Sequence, residues 1–234
     1  MDKKLFQEVE LVRAGTTCTP VRERVIRETE VTVLVNGELY ATAMVLAGNQ
    51  KDYAAGLIYS QGIIQHAEDI GGISVSGDIV DVTMPAMLPP RLLKPVQSTL
   101  VVHRDDIFAC VRAILKSPVF TETEAVHSAG LFIDGQKAVA VTEDLGRAHA
   151  FDKVIGAALF GKTNFGRLVA ASTGRQPSEM ITKCIHAGIP VMATKGVPTA
   201  AAVALAALVL GLRGRIDRQE LTMHLLPATS VAER

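Results

Sequence analysis

The second half of the chain repeats one device three times. An apolar run of strand length leads into a short polar loop with glycine and a basic residue, and then into a helical run. The copies are AVAV-TEDLGR-AHAFDKVIGAAL (138–159), LVAA-STGRQ-PSEMITKCIHAG (168–188) and IPVMA-TKG-VPTAAAVALAALVLG (189–211). Parallel strands joined by helices set all such loops along one edge of a sheet, and in open α/β sheets ligands bind at that edge. Helix N-termini there offer free N–H groups and partial positive charge, which suits an anion. The pattern predicts an α/β lobe over residues 101–227.

The rest of the chain adds a smaller unit. EVTVLVNGELYATAMV (30–45) is two alternating runs around Asn36-Gly37, a strong hairpin signal because both turn positions want positive φ. NQKDYAAGLIYSQGII (49–64) reads as a helix ending near Gly62, and ISVSGDIVDVTM (73–84) as a second hairpin around Ser76, Gly77 and Asp78. A small α+β lobe over 23–84 follows, preceded by an N-terminal tail over 1–22 that looks irregular at its end, with GTTCTP (15–20) as a loop. PAMLPPRLLKP (85–95) holds four of the ten prolines, which excludes regular helix and interior strand and marks 85–100 as a linker. HRDDIFACVRAILKSP (103–118) is helical, with Ile107, Cys110, Val111, Ile114 and Leu115 on one face. AVHSAGLFIDGQKAVAVTED (125–144) reads as strand, Asp134-Gly135 turn, strand. RGRIDRQELTMHLLP (213–227) starts basic and ends as an edge strand.

Charge and cysteine usage narrow the function. Basic and acidic residues balance at 24 each, so net charge gives no reason to expect nucleic acid or an anionic membrane as partner. An anion site must come from local arrangement. The N-terminus shows no secretory signal. The most apolar segment, 197–212, is broken by Pro198 and Gly211 and falls short of the roughly 20 residues a bilayer span needs; it reads as a helix buried in the core. Three cysteines without regular spacing make no disulfide framework and favour a cytoplasmic location. Cys110 and Cys184 lie at helical spacing among apolar residues and read as buried structural thiols. Cys18 sits in a polar segment and is the accessible candidate. His127 and His149 are lone histidines. The H-x-E with P-C-x-x-C zinc deaminase signature is absent, and no metal site is expected.

The loops supply the binding candidates. In STGRQPSEM (172–180), Pro177 fits the first helical position. Ser172, Thr173, Gly174 and Arg175 then precede a helix N-terminus, where a phosphate could meet N–H groups, hydroxyls and a guanidinium. The alternative is a capped helix with a solvated arginine. TKGVPT (194–199) repeats the arrangement with Lys195, Gly196, Pro198 and Thr199, without Walker spacing. In the remaining loop, Glu143 and Asp144 precede Gly146 and Arg147. Carboxylates there could accept hydrogen bonds from a ribose or a base edge, or simply favour the helix N-terminus.

Read together, these loops resemble the FdhD family of formate dehydrogenase accessory proteins, sulfur carriers for the molybdenum cofactor. EDLGRAHAFDKVIG (143–156) is similar to the family's E-D-V-G-R-H-N-A-x-D-K-x-x-G. STGRQPSEMITKCIHAGIPVMATKGVPTAAAVALA (172–206) is similar to S-G-R-x-S-x-E-M-x-x-K, G-I-P and S-x-x-P-T-x-x-A-x-x-L-A. VNGELYATAMVLAGNQKDYAAGLIYSQGII (35–64) resembles the N-terminal pattern that ends in G-F-L-x-x-E-G-I-I. The resemblance spans roughly residues 25–225.

The resemblance implies a cytidine-deaminase-like α/β lobe beside a smaller α+β lobe, and a homodimer. It implies binding of the molybdenum cofactor in its guanine dinucleotide form, with formate dehydrogenase and a cysteine desulfurase as partners. Ser172, Arg175 and Thr199 would then hold phosphates, Lys195 would add charge, and Glu143 and Asp144 would take polar ribose or base groups. Arg147, Thr173 and Gly174 belong to the same loops. Arg215 and Arg218 stand in GRIDRQ (214–219), a reduced form of the family's glycine-rich basic stretch. The family's persulfide-bearing C-x-x-C pair is absent. TGGxHAAAL becomes TEAVHSAGL (123–131), keeping only the histidine position as His127, and alanine follows Arg147 where the family has histidine. Sulfur chemistry would therefore need Cys18, Cys110 or a cysteine on another protein. The readings left open are a cofactor-binding accessory protein, a sulfurtransferase with a non-standard cysteine, and a cofactor-free scaffold.

Overall fold

The computed structural model describes residues 5–86, 89–210 and 231–232. The chain opens with two long strands, β1 (Phe6–Ala14) and β2 (Cys18–Ile26), paired antiparallel. The tail expected over 1–22 thus belongs to a hairpin: residues 15–17 of the expected loop make its turn, and from Cys18 on that loop is strand instead. The hairpin's outer face pairs opposite charges rather than apolar residues: Glu8 faces Arg24 and Glu10 faces Arg22. Cys18 is the first residue of β2 and is exposed.

Next come β3 (Glu28–Val35), β4 (Glu38–Leu46), α1 (Gln50–Ser60), β5 (Gly72–Ser76) and β6 (Ile79–Thr83). They form a four-stranded sheet of order β4-β3-β6-β5, in which only β3 and β6 are parallel. Asn36 and Gly37 join β3 to β4 with φ of 53° and 81°, the positive values the dipeptide predicts. Gly77, at φ 60°, turns β5 into β6.

The proline-rich segment forms no regular element among its described residues. Arg91 pins it in place: its backbone N–H and guanidinium donate to the Gly62 carbonyl, the guanidinium donates also to the His186 carbonyl, and the Arg91 carbonyl lies 3.0 Å from His186 Nε2.

The second half contains β7 (Val102–His103), α2 (Arg104–Ile114), α3 (Pro118–Thr123), β8 (His127–Ile133), β9 (Lys137–Asp144), α4 (Arg147–Phe160), β10 (Leu168–Ser172), α5 (Ser178–Ala187), β11 (Val191–Thr194), α6 (Ala200–Leu210) and β12 (Val231–Ala232), which pairs with β7. The main sheet has the order β11-β10-β8-β9. β10 and β11 are parallel; β8 is antiparallel to both β10 and β9. So β9, β10 and β11 run the same way, with one reversed strand inserted between the first two. The three loops that follow them share an edge, and the start of β8 lies there too.

Both faces of this sheet are covered. Val169, Ala171, Val191, Ala193 and Phe132 pack against Ile107, Cys110, Val111 and Ile114 of α2. Leu168, Ala170, Leu131 and Met192 join the larger core formed with α4, α5, α1 and the small sheet. Burial on both sides explains why LVAAS and VMAT are apolar without alternation.

α1 and α4 cross in backbone contact. A Cβ on Gly56 would stand 1.8 Å from the Asp152 carbonyl oxygen, and one on Gly156 would stand 1.9 Å from that of Asp52. Only glycine allows this approach.

α6 corrects another expectation. Ala202 and Ala206 are fully buried, but Val203 is 49% exposed, so one stripe packs and the opposite face does not. No helix among the described residues is long and apolar enough to cross a membrane. Arg215, Arg218 and the strand expected near 227 lie outside the described residues.

Candidate functional site

The loops after β9, β10 and β11 share one local chemistry. In each, a side-chain oxygen at the strand end accepts a hydrogen bond from the glycine N–H two residues on. Gly146 N donates to Asp144 Oδ1 at 3.1 Å, Gly174 N to Ser172 Oγ at 3.2 Å, and Gly196 N to Thr194 Oγ1 at 2.9 Å. These are Asx and Ser/Thr turns, and they tighten the chain before it enters a helix. The D/S/T-x-G spacing was visible in the sequence as D-L-G, S-T-G and T-K-G. That spacing places Thr194 beside Asp144 and Ser172, although loop composition alone does not single it out.

The second and third loops are locked by further bonds. Lys195 N donates to the Ser172 carbonyl (3.1 Å), Thr194 Oγ1 to the Gly174 carbonyl (2.6 Å), Gln176 N to the Val197 carbonyl (3.0 Å) and Thr199 N to the Gln176 carbonyl (3.0 Å). A Cβ on Gly196 would lie 2.7 Å from the Gly174 carbonyl oxygen. The first loop joins them through a side chain. A Cβ on Gly174 would lie 2.7 Å from Arg147 Cβ and 2.9 Å from its Cδ.

His127 completes the cluster. Its Nδ1 lies 3.2 Å from Thr173 Oγ1, which also accepts the Ser128 N–H at 3.0 Å. A threonine hydroxyl has one donor and two acceptor sites, so Thr173 can serve either tautomer of the ring. Burial, with the Arg147 charge adding to it, holds the imidazole below its usual pKa, so the ring is neutral at neutral pH. Around these loops several buried polar atoms have no partner among the described residues: Arg147 Nε, Ser128 Oγ and Gln176 Oε1.

The candidates sort by what their side chains already do. Arg175, Lys195 and Thr199 are exposed, and Arg147 and Thr173 are half-buried. Thr199 also caps α6 by accepting from Ala202 N at 3.2 Å. Ser172 is fully buried and shapes its turn, so it is not a surface phosphate ligand. Gly174 is buried between Arg147 and Gly196.

Glu143 and Asp144, expected to meet a ribose or a base, both accept hydrogen bonds from within the chain. Glu143 accepts the N–H groups of Val119 (3.2 Å) and Phe120 (2.6 Å). Asp144 is fully buried, pairs with Lys153 Nζ at 2.7 Å and accepts Leu46 N at 3.2 Å. Asp152 of the AFDK segment forms a second buried pair, with Lys183 of α5. Lys183 Nζ stands 2.8 and 2.9 Å from the two Asp152 oxygens, and Ser60 Oγ bonds to Asp152 Oδ1 at 2.7 Å. His149 lies edge-on to Tyr53 and 3.4 Å from Asp144.

The cysteines divide cleanly. Burial pushes the thiols of Cys110 and Cys184 up to about 12, and Cys110 Sγ donates to the Gly135 carbonyl. Neither supplies thiolate at neutral pH. Cys18 is the exposed one. Among the described residues no group of three or more His, Cys, Asp and Glu is placed to hold a metal ion. A cavity of about 920 Å³ lies at the other end of the main sheet, lined by Phe165, Gly166, Ala187 and Gly188 with Arg91 and Lys94, away from the three turns.

Three matched turns stand at one sheet edge of this α/β protein, with Arg147, Arg175 and Lys195 on the residues beside them. The FdhD/NarQ family model matches residues 26–91 and 84–220, and the chain belongs to that family. The sulfur carrier protein FdhD of Methanothermobacter thermautotrophicus is 28% identical over 215 residues, covering 83% of this chain and 86% of that protein. The sulfur carrier protein FdhD of Xanthomonas axonopodis pv. citri is 30% identical over 227 residues, covering 83% and 80%. Among solved structures, one described as a "putative formate dehydrogenase accessory protein", from Desulfotalea psychrophila, superimposes with a TM-score of 0.83 at 26% identity, covering 96% of this chain and 98% of that one. The family expectation from the loop motifs therefore holds.

Proposed function

We infer that this chain is an accessory protein in formate dehydrogenase maturation. Its loop edge carries the molybdenum cofactor in its guanine dinucleotide form, or the guanine nucleotide part of it, as cargo. One observation carries the reading: three turns of the same chemistry meet at one edge, and Arg147 Nε is buried beside them with no partner among the described residues. A buried guanidinium nitrogen without an acceptor is a costly arrangement that an anionic ligand relieves. The names of the relatives support the accessory role.

In this reading Arg147 and Arg175 grip phosphate oxygens, Lys195 contributes a point charge, and Thr173 and Thr199 border the site. The larger lobe is cytidine-deaminase-like, a reading supported by the single reversed strand β8 inserted among co-directional strands. The protein works in the cytoplasm as a homodimer with the dehydrogenase and a cysteine desulfurase as partners.

A second reading, that the chain itself carries sulfur, is favoured by the exposure of Cys18 while the other two thiols are buried. Both readings meet one test, in cells that lack their own accessory protein and therefore lack formate dehydrogenase activity. The wild-type chain restores activity, and Arg147→Ala, checked to be folded, restores about a tenth of it or less, consistent with loss of a charge-assisted contact. Full restoration by Arg147→Ala favours the scaffold role and overturns the cargo reading. Cys18→Ser in the same cells abolishes activity only if sulfur passes through this chain.

A further inference from the structure

A second cavity, of about 380 Å³, opens between the end of β4, strand β9 and the junction of α2 with α3. Leu46, Ala113, Val119 and Val141 form apolar walls, and Ser117, Glu143 and Lys153 line it as well. None of the exposed cations of the loop edge lines it, so it is separate from the cargo site.

The capping of α3 is unusual here. Ser117 occupies the N-cap position, with φ −64° and ψ 144°, and Pro118 follows at the first helical position. A serine there ordinarily accepts the N–H of the second or third helical residue. Those residues are Val119 and Phe120, and both donate instead to Glu143, which reaches across from β9. Ser117 makes no capping bond and is 5% exposed, and its Oγ has no hydrogen-bond partner among the described residues. A buried hydroxyl without a partner, on a residue that lines a cavity, is an unsatisfied polar group.

The charges in the wall are unequal. Lys153 is 2% exposed and is neutralised by Asp144 while donating to the Leu46 carbonyl at 2.7 Å. No ion pair among the described residues includes Glu143. Its two backbone donors leave lone pairs free, since a carboxylate has about four acceptor sites. The cavity thus offers one carboxylate that has two backbone N–H partners but no side-chain counter-charge, one hydroxyl without a partner among the described residues, and apolar walls.

We propose that this cavity is a binding site for a small organic cation: an ammonium group on a short apolar chain, held by the Glu143 carboxylate and Ser117 Oγ. The ammonium sets a formal positive charge beside Glu143, whose partners are two backbone N–H groups, and supplies N–H donors for both oxygens. The alkyl chain lies against Leu46, Val119 and Val141.

The test uses n-butylammonium chloride as probe and sodium butyrate as its charge-reversed control, at constant ionic strength. Binding is followed by the backbone amide resonances of the full chain. The expected result is saturable shifts at Ser117, Val119 and Phe120 with butylammonium, a dissociation constant on the order of a millimolar, and no saturation with butyrate. Ser117→Ala removes only the unpartnered hydroxyl, so it weakens butylammonium about tenfold and leaves the denaturation midpoint unchanged or slightly higher. Glu143→Gln, checked for fold, removes the charge and weakens the probe at least as much. Absence of saturable shifts in folded protein overturns the proposal, as does equal binding of butyrate. A lowered midpoint for Ser117→Ala with probe binding intact returns Ser117 to ordinary helix capping and overturns it too. None of these outcomes depends on nucleotide binding at the loop edge.

Discussion

Alanine at position 156 is expected to unfold most of the protein or to leave it severely destabilised. The added methyl would stand 1.9 Å from the Asp52 carbonyl oxygen, and the obstacle is helix backbone rather than a side chain that can turn away. Relief requires α1 and α4 to separate. Those helices carry Tyr53, Ala54, Leu57 and Ile58 on one side and Phe151, Val154, Ile155 and Ala158 on the other, all in the larger apolar core. Overpacking a core commonly costs about 1–3 kcal/mol. A backbone clash between two central helices belongs at or above the top of that range, so a loss of at least about 3 kcal/mol is expected. Against a total stability of roughly 5–15 kcal/mol, that is a large part. Gly56→Ala makes the reciprocal clash, 1.8 Å from the Asp152 carbonyl, and should behave alike. Urea denaturation followed by circular dichroism reads both. Near-wild-type midpoints for the pair would show that the helices do not approach this closely.

The second large effect follows from the buried pair between α4 and α5. Asp152 and Lys183 are 1% and 4% exposed and share their bonds with Ser60. Lys183→Met leaves the Asp152 carboxylate buried without a counter-charge, at a cost of about 3–5 kcal/mol. Replacing both residues together, Asp152→Leu with Lys183→Met, removes both charges and should recover most of that loss. The single variant also acquires a distinctive pH dependence. Burial holds the Asp152 carboxyl above its usual range even in the wild type, with Lys183 and Ser60 opposing that rise. Without Lys183 the opposition falls and the folded-state pKa rises further. A carboxyl whose folded pKa exceeds its unfolded one binds its proton more tightly when folded. Its contribution therefore favours folding in acid and is lost as pH rises through the folded value. Lys183→Met should lose less stability near pH 5 than near pH 8 relative to the wild type. An equal loss at both would mean the carboxylate is not isolated.

The sequence exposed the elements whose signals are local. Asn36-Gly37 and Asp134-Gly135 need only their own backbone freedom, and both turn where expected with positive φ. The three strand–loop–helix units also carry their own signals, in apolar runs followed by turn residues. What escaped depended on partners distant in the chain. Glu143 caps a helix 23 and 24 residues before it, and Asp144 bonds to Leu46, 98 positions away; nothing beside either residue announces those bonds. The β1–β2 hairpin was hidden because opposite charges, not alternating apolar residues, face one another across its outer face. α6 misled for the reverse reason: a helix that is apolar all round marks no buried stripe, so its exposed side could not be told from its packed one. The loop edge itself was legible because strand direction fixes where loops emerge. The reversed strand β8 leaves that direction intact for the three strands that matter.

The central claim is that this edge grips a phosphorylated nucleotide through Arg147. Calorimetry of the purified chain with GDP tests it most directly. The account predicts saturable heat, with one site per chain, which Arg147→Ala weakens by about tenfold or more while its circular dichroism matches the wild type. No heat at millimolar GDP from a folded sample, or equal affinity in wild type and Arg147→Ala, would contradict it.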